Sequence, residues 1–220
     1  MSITIGNQAL VNINGSSNIS LSSANFIEPT VIFYSDGSSL TGWTQVDGTA
    51  IVDATIGNPL PSYKLTGRGI FRNLDTTFHN KTITFDMRPG TSFDGGFLFA
   101  NASNGSGTYR GGLQMKQSAS AIAGQGLRAG SNGGWLYFGV GAPETLNLFT
   151  STTTWYSIKI RISSSRLCTW YADGVLQSST YTIPVGYTTV DTTNNYFGFI
   201  INGPNTGTYF DNLYIYDGII

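Results

Sequence analysis

Alternating apolar and polar positions run through most of the chain and predict β-strands. Residues 81–88 place Ile83, Phe85 and Met87 on one face of a strand and polar side chains on the other. Residues 155–162 repeat this alternation, with a tyrosine and three isoleucines on one face. No segment keeps helical spacing over three turns, so the pattern predicts an all-β protein.

Turn residues divide the predicted strands into hairpins. Asp173-Gly174 predicts a tight two-residue turn between strands over 167–172 and 175–178. Residues 203–207, rich in Gly, Pro and Asn, predict another turn between the last two strands. About a dozen short strands, with turns roughly every 8–12 residues, are typical of a two-sheet antiparallel sandwich.

Residues 1–28 differ from the rest of the chain. Residues 1–23 contain no charged and no aromatic side chain and alternate only weakly. They predict either an extra strand or an arm that becomes ordered against a partner, followed by one β-sandwich domain over 29–220. The first residues show neither region of a secretory signal, and no stretch approaches the roughly 20 apolar residues of a membrane span. We therefore expect synthesis in the cytoplasm without a signal peptide, and no membrane partner.

The low charge content limits the kinds of partner. Only 10% of the 220 residues are charged, against about 25% in an average soluble domain. The formal net charge is −1, whereas a nucleic-acid-binding protein normally carries a basic patch, so no nucleic-acid partner is expected. The single cysteine, Cys168, lies in an apolar strand-like run and is expected to be buried.

Three stretches of the chain, taken together, carry a family resemblance. They are residues 33–48, with a Leu-x-x-Trp sequence that ends at Trp43, residues 155–162 followed by 169–174, and residues 209–216. In this order and spacing, over about residues 30–220, they resemble the concanavalin-A-like lectin/glucanase jelly rolls, including laminin-G-like modules. The resemblance implies an all-β, two-sheet antiparallel jelly-roll sandwich with a short N-terminal extension. It implies little about activity, because this fold carries lectins, hydrolases, lyases and scaffolds.

The enzymes of this fold have signatures that the chain lacks. Glucanases use two glutamates in a Glu-x-Asp-x-x-Glu strand, whereas Glu28 and Glu144 are isolated here. A Ser-His-Asp triad would need His79, the single histidine, whose polar surroundings predict an exposed loop. No cluster of His, Cys or carboxylate residues predicts a catalytic metal. We therefore predict no catalytic residues, and a polysaccharide-active hydrolase or lyase is the less favoured alternative.

Polar residues within predicted strands, next to aromatic ones, indicate a carbohydrate site. Sugar rings stack their C–H faces on Trp or Tyr, while Arg, Gln and Asn hydrogen-bond to the hydroxyls. Aromatic residues in sandwiches also fill the core, which is the alternative for this cluster and the expectation for Trp43, Trp155 and Trp170. The candidate ligand-binding residues are Tyr109, Arg110, Gln114, Arg128, Trp135 and Tyr137.

A structural calcium ion is the one cofactor that the resemblance implies. Related carbohydrate modules often hold Ca²⁺ between the entry and closing strands through carboxylates and backbone carbonyls. Asp211 matches the closing-strand aspartate, and Glu28 or Asp36 would supply a ligand from the entry side. The alternative for each is a solvated or turn-capping carboxylate.

Composition and resemblance together predict a protein of a virus surface. A low-charge sandwich rich in Gly, Ser, Thr and Asn, with an uncharged N-terminal arm, is similar to phage capsid decoration proteins, head fibres and tail adhesins. The arm would bind other virion subunits or a second copy by backbone pairing, and the sandwich would bind host-surface glycans. The leading hypothesis is a non-enzymatic virion decoration or adhesion protein with a lectin-like sandwich. The alternative is a free-standing lectin or carbohydrate-binding module.

Overall fold

The computed structural model describes β-structure along most of the chain. The described residues are 2–5, 9–12, 29–46, 49–67, 69–90, 94–100, 109–118, 121–123, 127–131, 134–137, 151–176, 181–182, 194–201 and 207–220. None of them belongs to a helix long and apolar enough to cross a membrane. The strands are β1 (Ser2–Ile5), β2 (Ala9–Asn12), β3 (Thr30–Ser35), β4 (Thr44–Val46), β5 (Ala50–Asp53), β6 (Ser62–Leu65), β7 (Gly69–Asp75), β8 (Lys81–Arg88), β9 (Asp94–Ala100), β10 (Tyr109–Ser118), β11 (Ala121–Ala123), β12 (Leu127–Ser131), β13 (Gly134–Tyr137), β14 (Tyr156–Ile162), β15 (Leu167–Ala172), β16 (Val175–Leu176), β17 (Tyr181–Thr182), β18 (Asn194–Ile201) and β19 (Thr208–Asp217).

The strands of the sandwich form two sheets. The front sheet has the order β13-β12-β10-β9-β18-β7-β4, with β11 paired to β10. The back sheet has the order β16-β15-β14-β8-β19-β6-β5, with β17 paired to β15 and β3 paired to β19. Every pairing among the described strands is antiparallel, which confirms the predicted all-β, two-sheet sandwich. Strands β1 and β2 form a separate two-stranded sheet.

Apolar side chains on the inner faces of the two sheets form one core. Strand β8 has the alternation expected from its sequence, with Ile83, Phe85 and Met87 buried. The ring of Phe85 lies 5.9 Å from Phe97 and 5.2 Å from Phe199, both in the front sheet. Burying a side chain of this size contributes about 1.5–3 kcal/mol. These contacts therefore hold the two sheets together.

Two of the three tryptophans expected in the core are part of it. Trp170 is fully buried, and Trp43 is partly buried and packs against the core. Trp155 is different, because it precedes the first inward-facing residue of β14 and lies half-buried with its ring 6.5 Å from Tyr209. Cys168 is buried as predicted, and burial raises the pKa of its thiol well above the ordinary value.

Asp173 and Gly174 form the predicted two-residue turn. Ala172 is paired with Val175 across it, and both turn residues have positive φ, +48° for Asp173 and +79° for Gly174. This backbone matches the right-handed twist of the flanking strands. The Asp173 carboxylate also accepts a hydrogen bond from the backbone N–H of Ser157 at 2.8 Å. The hairpin is confirmed, with β16 as its second strand and residues 177–180 outside the described ones.

A second, smaller apolar cluster lies on the outer face of the front sheet. Val46, Phe71, Leu98 and Ile200 are buried there, and Tyr196 packs against them. Neighbouring residues of their strands face the core, so these side chains project from the opposite face. Part of the outer face of the front sheet is therefore apolar and covered.

Candidate functional site

Backbone register brings three of the predicted ligand-binding residues onto one face of the front sheet. Arg110 on β10 is paired with Gly130 on β12, and Gly130 is paired with Trp135 on β13. Gln114 lies four residues after Arg110 on the same strand. Directly opposite residues of antiparallel strands share a face, as do residues two or four apart along a strand. Arg110, Gln114 and Trp135 therefore share a face.

Two more candidates join this face, and one does not. Gly112, two residues after Arg110, is paired with Arg128, and Arg128 is paired with Tyr137. Arg128 and Tyr137 thus share the face of Arg110. Tyr109 precedes Arg110 by one residue and so belongs to the opposite face of β10. The register therefore groups five of the six candidates and separates Tyr109 from them.

The shared face is the outer face of the front sheet. Gly112 is paired with Leu98 of β9, and Leu98 belongs to the buried cluster on the outer face. Phe97 and Phe99, on either side of Leu98, are in the core between the sheets. The five grouped candidates continue this outer face over β10, β12 and β13. Their role in ligand binding stays a prediction.

Two residues on the same face were not found from the sequence. Arg110 is paired with Ala100, Ala100 with Tyr196 of β18, and Tyr196 with Asn73 of β7. Tyr196 is half-buried and Asn73 is exposed. Their strands are far apart in sequence, and no local pattern shows that β9 and β18 are neighbours. Only the register places these residues in the row that contains Arg110.

Asp211, a predicted metal ligand, is buried on the outer face of the back sheet. It is 1% exposed, and its two carboxylate oxygens each accept a backbone N–H at 2.7 Å, one from Asn58 and one from Asn212. Asp86 is paired with Asp211 on the adjacent strand and accepts the side-chain amides of Asn212 at 2.9 Å and Asn58 at 3.3 Å. The Asn212 amide also donates to the carbonyl of Asn58. The network ties the loop that carries Asn58 to the sheet.

The electrostatics of this network follow from its burial. Desolvation raises the pKa of Asp211 to about 6, and the charges of Asp86 and Asp36 act in the same direction. The N–H groups of Asn58 and Asn212 lower the pKa, but they offset only part of the shift. Asp211 is therefore a carboxyl group whose charged form is costly in the folded protein.

The other predicted metal ligands do not join Asp211 in a cluster. Asp36 is exposed and accepts the backbone N–H of Ser38 at 3.0 Å, and hydrogen bonds from Ser38 lower its pKa. Glu28 lies outside the described residues. Among the residues that the structure describes, no three His, Cys, Asp or Glu side chains are grouped to hold a metal. Because the oxygens of Asp211 already face N–H donors, this carboxylate fits the role of a loop anchor better than that of a calcium ligand. Calcium binding stays a prediction.

His79 and the opposed carboxylates Asp86 and Asp211 make hydrogen bonds to neighbouring residues of the fold. His79 is half-buried rather than exposed as predicted, with its ring nitrogen 3.4 Å from the hydroxyl of Thr77. The opposed carboxylates of Asp86 and Asp211 resemble a glycosidase pair in residue type. Burial of Asp211 and its two N–H donors keep a substrate away from that carboxylate.

Comparison with known proteins identifies the fold. No protein-family model and no curated protein matches the sequence. The globular domain of calreticulin from T. cruzi has a TM-score of 0.62 at 12% identity, over 86% of this chain and 89% of that chain. A Bacillus subtilis protein of unknown function with a galectin-like fold has a TM-score of 0.55 at 12% identity, over 85% of this chain and 96% of that chain.

A phage protein has the same architecture. A carbohydrate esterase from the Shiga toxin-encoding bacteriophage phi24B has a TM-score of 0.54 at 14% identity, over 87% of this chain and all (100%) of that chain. At such low identity these likenesses establish the fold alone. The chain folds as a lectin-like β-sandwich, in agreement with the jelly-roll fold that its sequence motifs imply.

Proposed function

We propose that this protein is a carbohydrate-binding β-sandwich whose ligand site lies on the outer face of the front sheet. One observation carries the proposal: backbone register places Arg110, Gln114, Arg128, Trp135 and Tyr137 on that face, on three adjacent strands. These residue types supply both the aromatic surface and the hydrogen-bonding groups that a sugar ring requires.

The positions between these residues also suit a saccharide. Gly130 separates Arg110 from Trp135 across the strands, and Gly112 separates Leu98 from Arg128. A glycine beside a large residue leaves a depression in a sheet surface, in which a ring can lie against its neighbours. The low overall charge favours a neutral ligand held by stacking and hydrogen bonds over one held by ionic contacts.

We further propose that binding is not accompanied by catalysis. A carbohydrate esterase shares the fold, so the fold itself does not decide the question. The argument rests on the opposed carboxylates of Asp86 and Asp211, which accept amide hydrogen bonds and anchor a loop. Incubation with polysaccharides, followed by assays for reducing ends and released acetate, should detect no turnover. Turnover above a heat-inactivated control would overturn this part of the proposal.

We place this binding module on the surface of a virus particle. The proposal is supported by the low-charge composition, by the uncharged N-terminal residues, and by a structural likeness that spans the whole solved chain of a phage carbohydrate esterase. Mass spectrometry of gradient-purified particles from the source that encodes the chain should detect it at a fixed ratio to the capsid protein. Its absence from particles, with glycan binding intact, would favour a free-standing lectin or carbohydrate-binding module.

A glycan array with matched variants tests the ligand site. The Trp135→Ala variant should bind about two- to tenfold more weakly, since an aromatic contact contributes about 0.5–1.5 kcal/mol and 1.4 kcal/mol is a factor of ten. Tyr171→Ala is the control, because it removes a half-buried tyrosine from β15 of the back sheet, away from the proposed ligand face. Equal weakening by both variants, or an array without specific binding by the unmodified protein, would contradict the proposed site.

The same array tests whether glycan binding depends on a bound calcium ion. It is run once with added calcium and once with a chelator. Because Asp211 already accepts two N–H groups, we expect the same glycans to bind under both conditions. Loss of binding in chelator, restored by calcium, would show that a metal ion supports the site.

A further inference from the structure

The hairpin formed by β1 and β2 is paired with no other strand among those that the structure describes. Its register pairs Ile3 with Val11 and Ile5 with Ala9, so these four apolar residues share one face. The hairpin forms a sheet of its own, separate from the two sheets of the sandwich. An isolated two-stranded hairpin is at best marginally stable in water, and an apolar face requires burial.

Strand β3 offers an edge of the required kind. Among the described strands it is paired only with β19. It has six residues, whereas the other edge strands have four or fewer. Sheet edges are usually protected by charges or proline, and β3 contains neither. Its Val31 is 46% exposed and its Tyr34 is 48% exposed.

The apolar surface continues from this edge onto the adjacent strand. Tyr34 is paired with Tyr214, and the two ring centroids are 4.4 Å apart. Tyr216 stacks on Tyr214 at 5.8 Å and is paired with Val31. An unprotected backbone edge therefore borders an apolar surface patch, the tyrosine ledge, which is formed by Val31, Tyr34, Tyr214 and Tyr216.

We propose that the β1–β2 hairpin of one copy adds to the β3 edge of a second copy. A four-residue strand is about 13 Å long and fits along the roughly 20 Å of β3. Neither element contains a charged residue, so no like charges oppose their approach. Every copy brings both a hairpin and an edge, which allows two copies to make the same contact reciprocally. This assembly would present several front faces together and raise the avidity for a repeated ligand.

Charged substitutions in the full-length chain test the hairpin. Light scattering coupled to size-exclusion chromatography should give the unmodified protein at least twice the mass of one chain, 23.6 kDa. Ile3→Lys with Val11→Lys places two charges on the apolar face and should reduce the mass to that of one chain. Ser2→Lys with Asn12→Lys is the matched control, since these residues are paired on the opposite face. A monomeric unmodified protein, or equal effects of both variants, would overturn the proposal.

A second pair of variants tests the edge. Val31→Lys with Tyr34→Lys should also give monomers. Ile51→Lys with Leu60→Lys adds the same charge at residues that are 46% and 56% exposed elsewhere on the back-sheet side, and it should leave the mass unchanged. Unchanged thermal unfolding excludes misfolding as the cause, because all four residues are exposed. Unchanged assembly of the Val31/Tyr34 variant would assign the hairpin to another surface and refute the proposal.

Mixing the two monomeric variants tests whether the hairpin of one copy binds the edge of another. One variant keeps an intact edge and the other keeps an intact hairpin, so together they should form a complex of two chains. A mixture that stays monomeric would show that the hairpin of one copy does not bind the edge of the other. That result would overturn the proposal even if each variant alone behaved as expected.

Discussion

The Asp211 carboxyl group should make the stability of this protein depend on pH between about 4 and 6. Its pKa is about 6 in the folded protein, against an ordinary value of 3.8. Below pH 3.8 the group is protonated in both the folded and the unfolded chain, so it causes no penalty. Above pH 6 it is charged in both, and the folded state bears the full cost of burying that charge. The contribution of Asp211 therefore becomes less favourable as the pH rises through this window.

The size of the effect follows from the pKa difference. A shift of about two units corresponds to about 3 kcal/mol, since each unit is 1.36 kcal/mol. Asp211→Asn removes the titration but leaves an amide nitrogen facing a backbone N–H donor, which costs about 1–3 kcal/mol at every pH. The variant should therefore be less stable than the unmodified protein at pH 4 and close to it in stability at pH 7.

Urea unfolding followed by tryptophan fluorescence at pH 4, 5, 6 and 7 measures this difference. Asp36 and Asp53, whose pKa values are lowered by their hydrogen bonds, act in the opposite direction but are common to both proteins. Asp75→Asn removes the same charge from an exposed residue and controls for charge loss alone. If the unfolding free energies of the unmodified protein and Asp211→Asn differ by the same amount at pH 4 and pH 7, Asp211 is not the titrating group.

Further predictions concern the backbone and the core. Gly198→Ala should cost more than about 3 kcal/mol, above the usual range for overpacking, because the added Cβ would overlap the backbone carbonyl oxygen of Ile70. Gly174→Ala should cost only about 1–2 kcal/mol, since its φ of +79° is strained for alanine but the space around it is open. Phe85→Ala should lower the free energy of unfolding by about 3–5 kcal/mol. Urea unfolding measures each value, and a Gly174→Ala cost equal to that of Gly198→Ala would contradict the steric argument.

Local sequence patterns predicted the strands over 81–88 and 155–162 and the turn at 173–174, because each of these signals acts over a few residues. The alternation in β8 required only that Phe85 and its neighbours at two-residue spacing be apolar. The Asp173-Gly174 turn was predictable because positive φ at two successive positions favours that pair. The pairing of β8 with β19 joins residues more than a hundred positions apart, and no local pattern encodes it.

The candidate site was predictable in its residue types but not in its arrangement. Arg110 and Trp135 were identified as polar and aromatic residues at strand positions, and the register of three strands then placed them on one face. Tyr109 was grouped with them because it adjoins Arg110 in sequence, although adjacent residues of a strand face opposite sides. Asp211 was identified by a motif, but its hydrogen bonds to a loop 153 residues earlier depend on tertiary structure.

The two outer faces of the sandwich are suited to different tasks, and this follows from what covers each sheet. On the back sheet, the loop that carries Asn58 is hydrogen-bonded over Asp211 and Asp86, and the tyrosine ledge beside β3 includes two exposed residues, Val31 and Tyr34. On the front sheet, the buried cluster lies on β4, β7, β9 and β18, and the proposed ligand residues lie on the strands beyond β9, namely β10, β12 and β13. The proposed ligand face and the anchored loop therefore lie on different sheets, with the core between them. For this reason Asp211→Asn should alter the pH dependence of the free energy of unfolding and leave glycan affinity at the front sheet unchanged. A parallel loss of stability and of glycan affinity would show that the two faces are coupled.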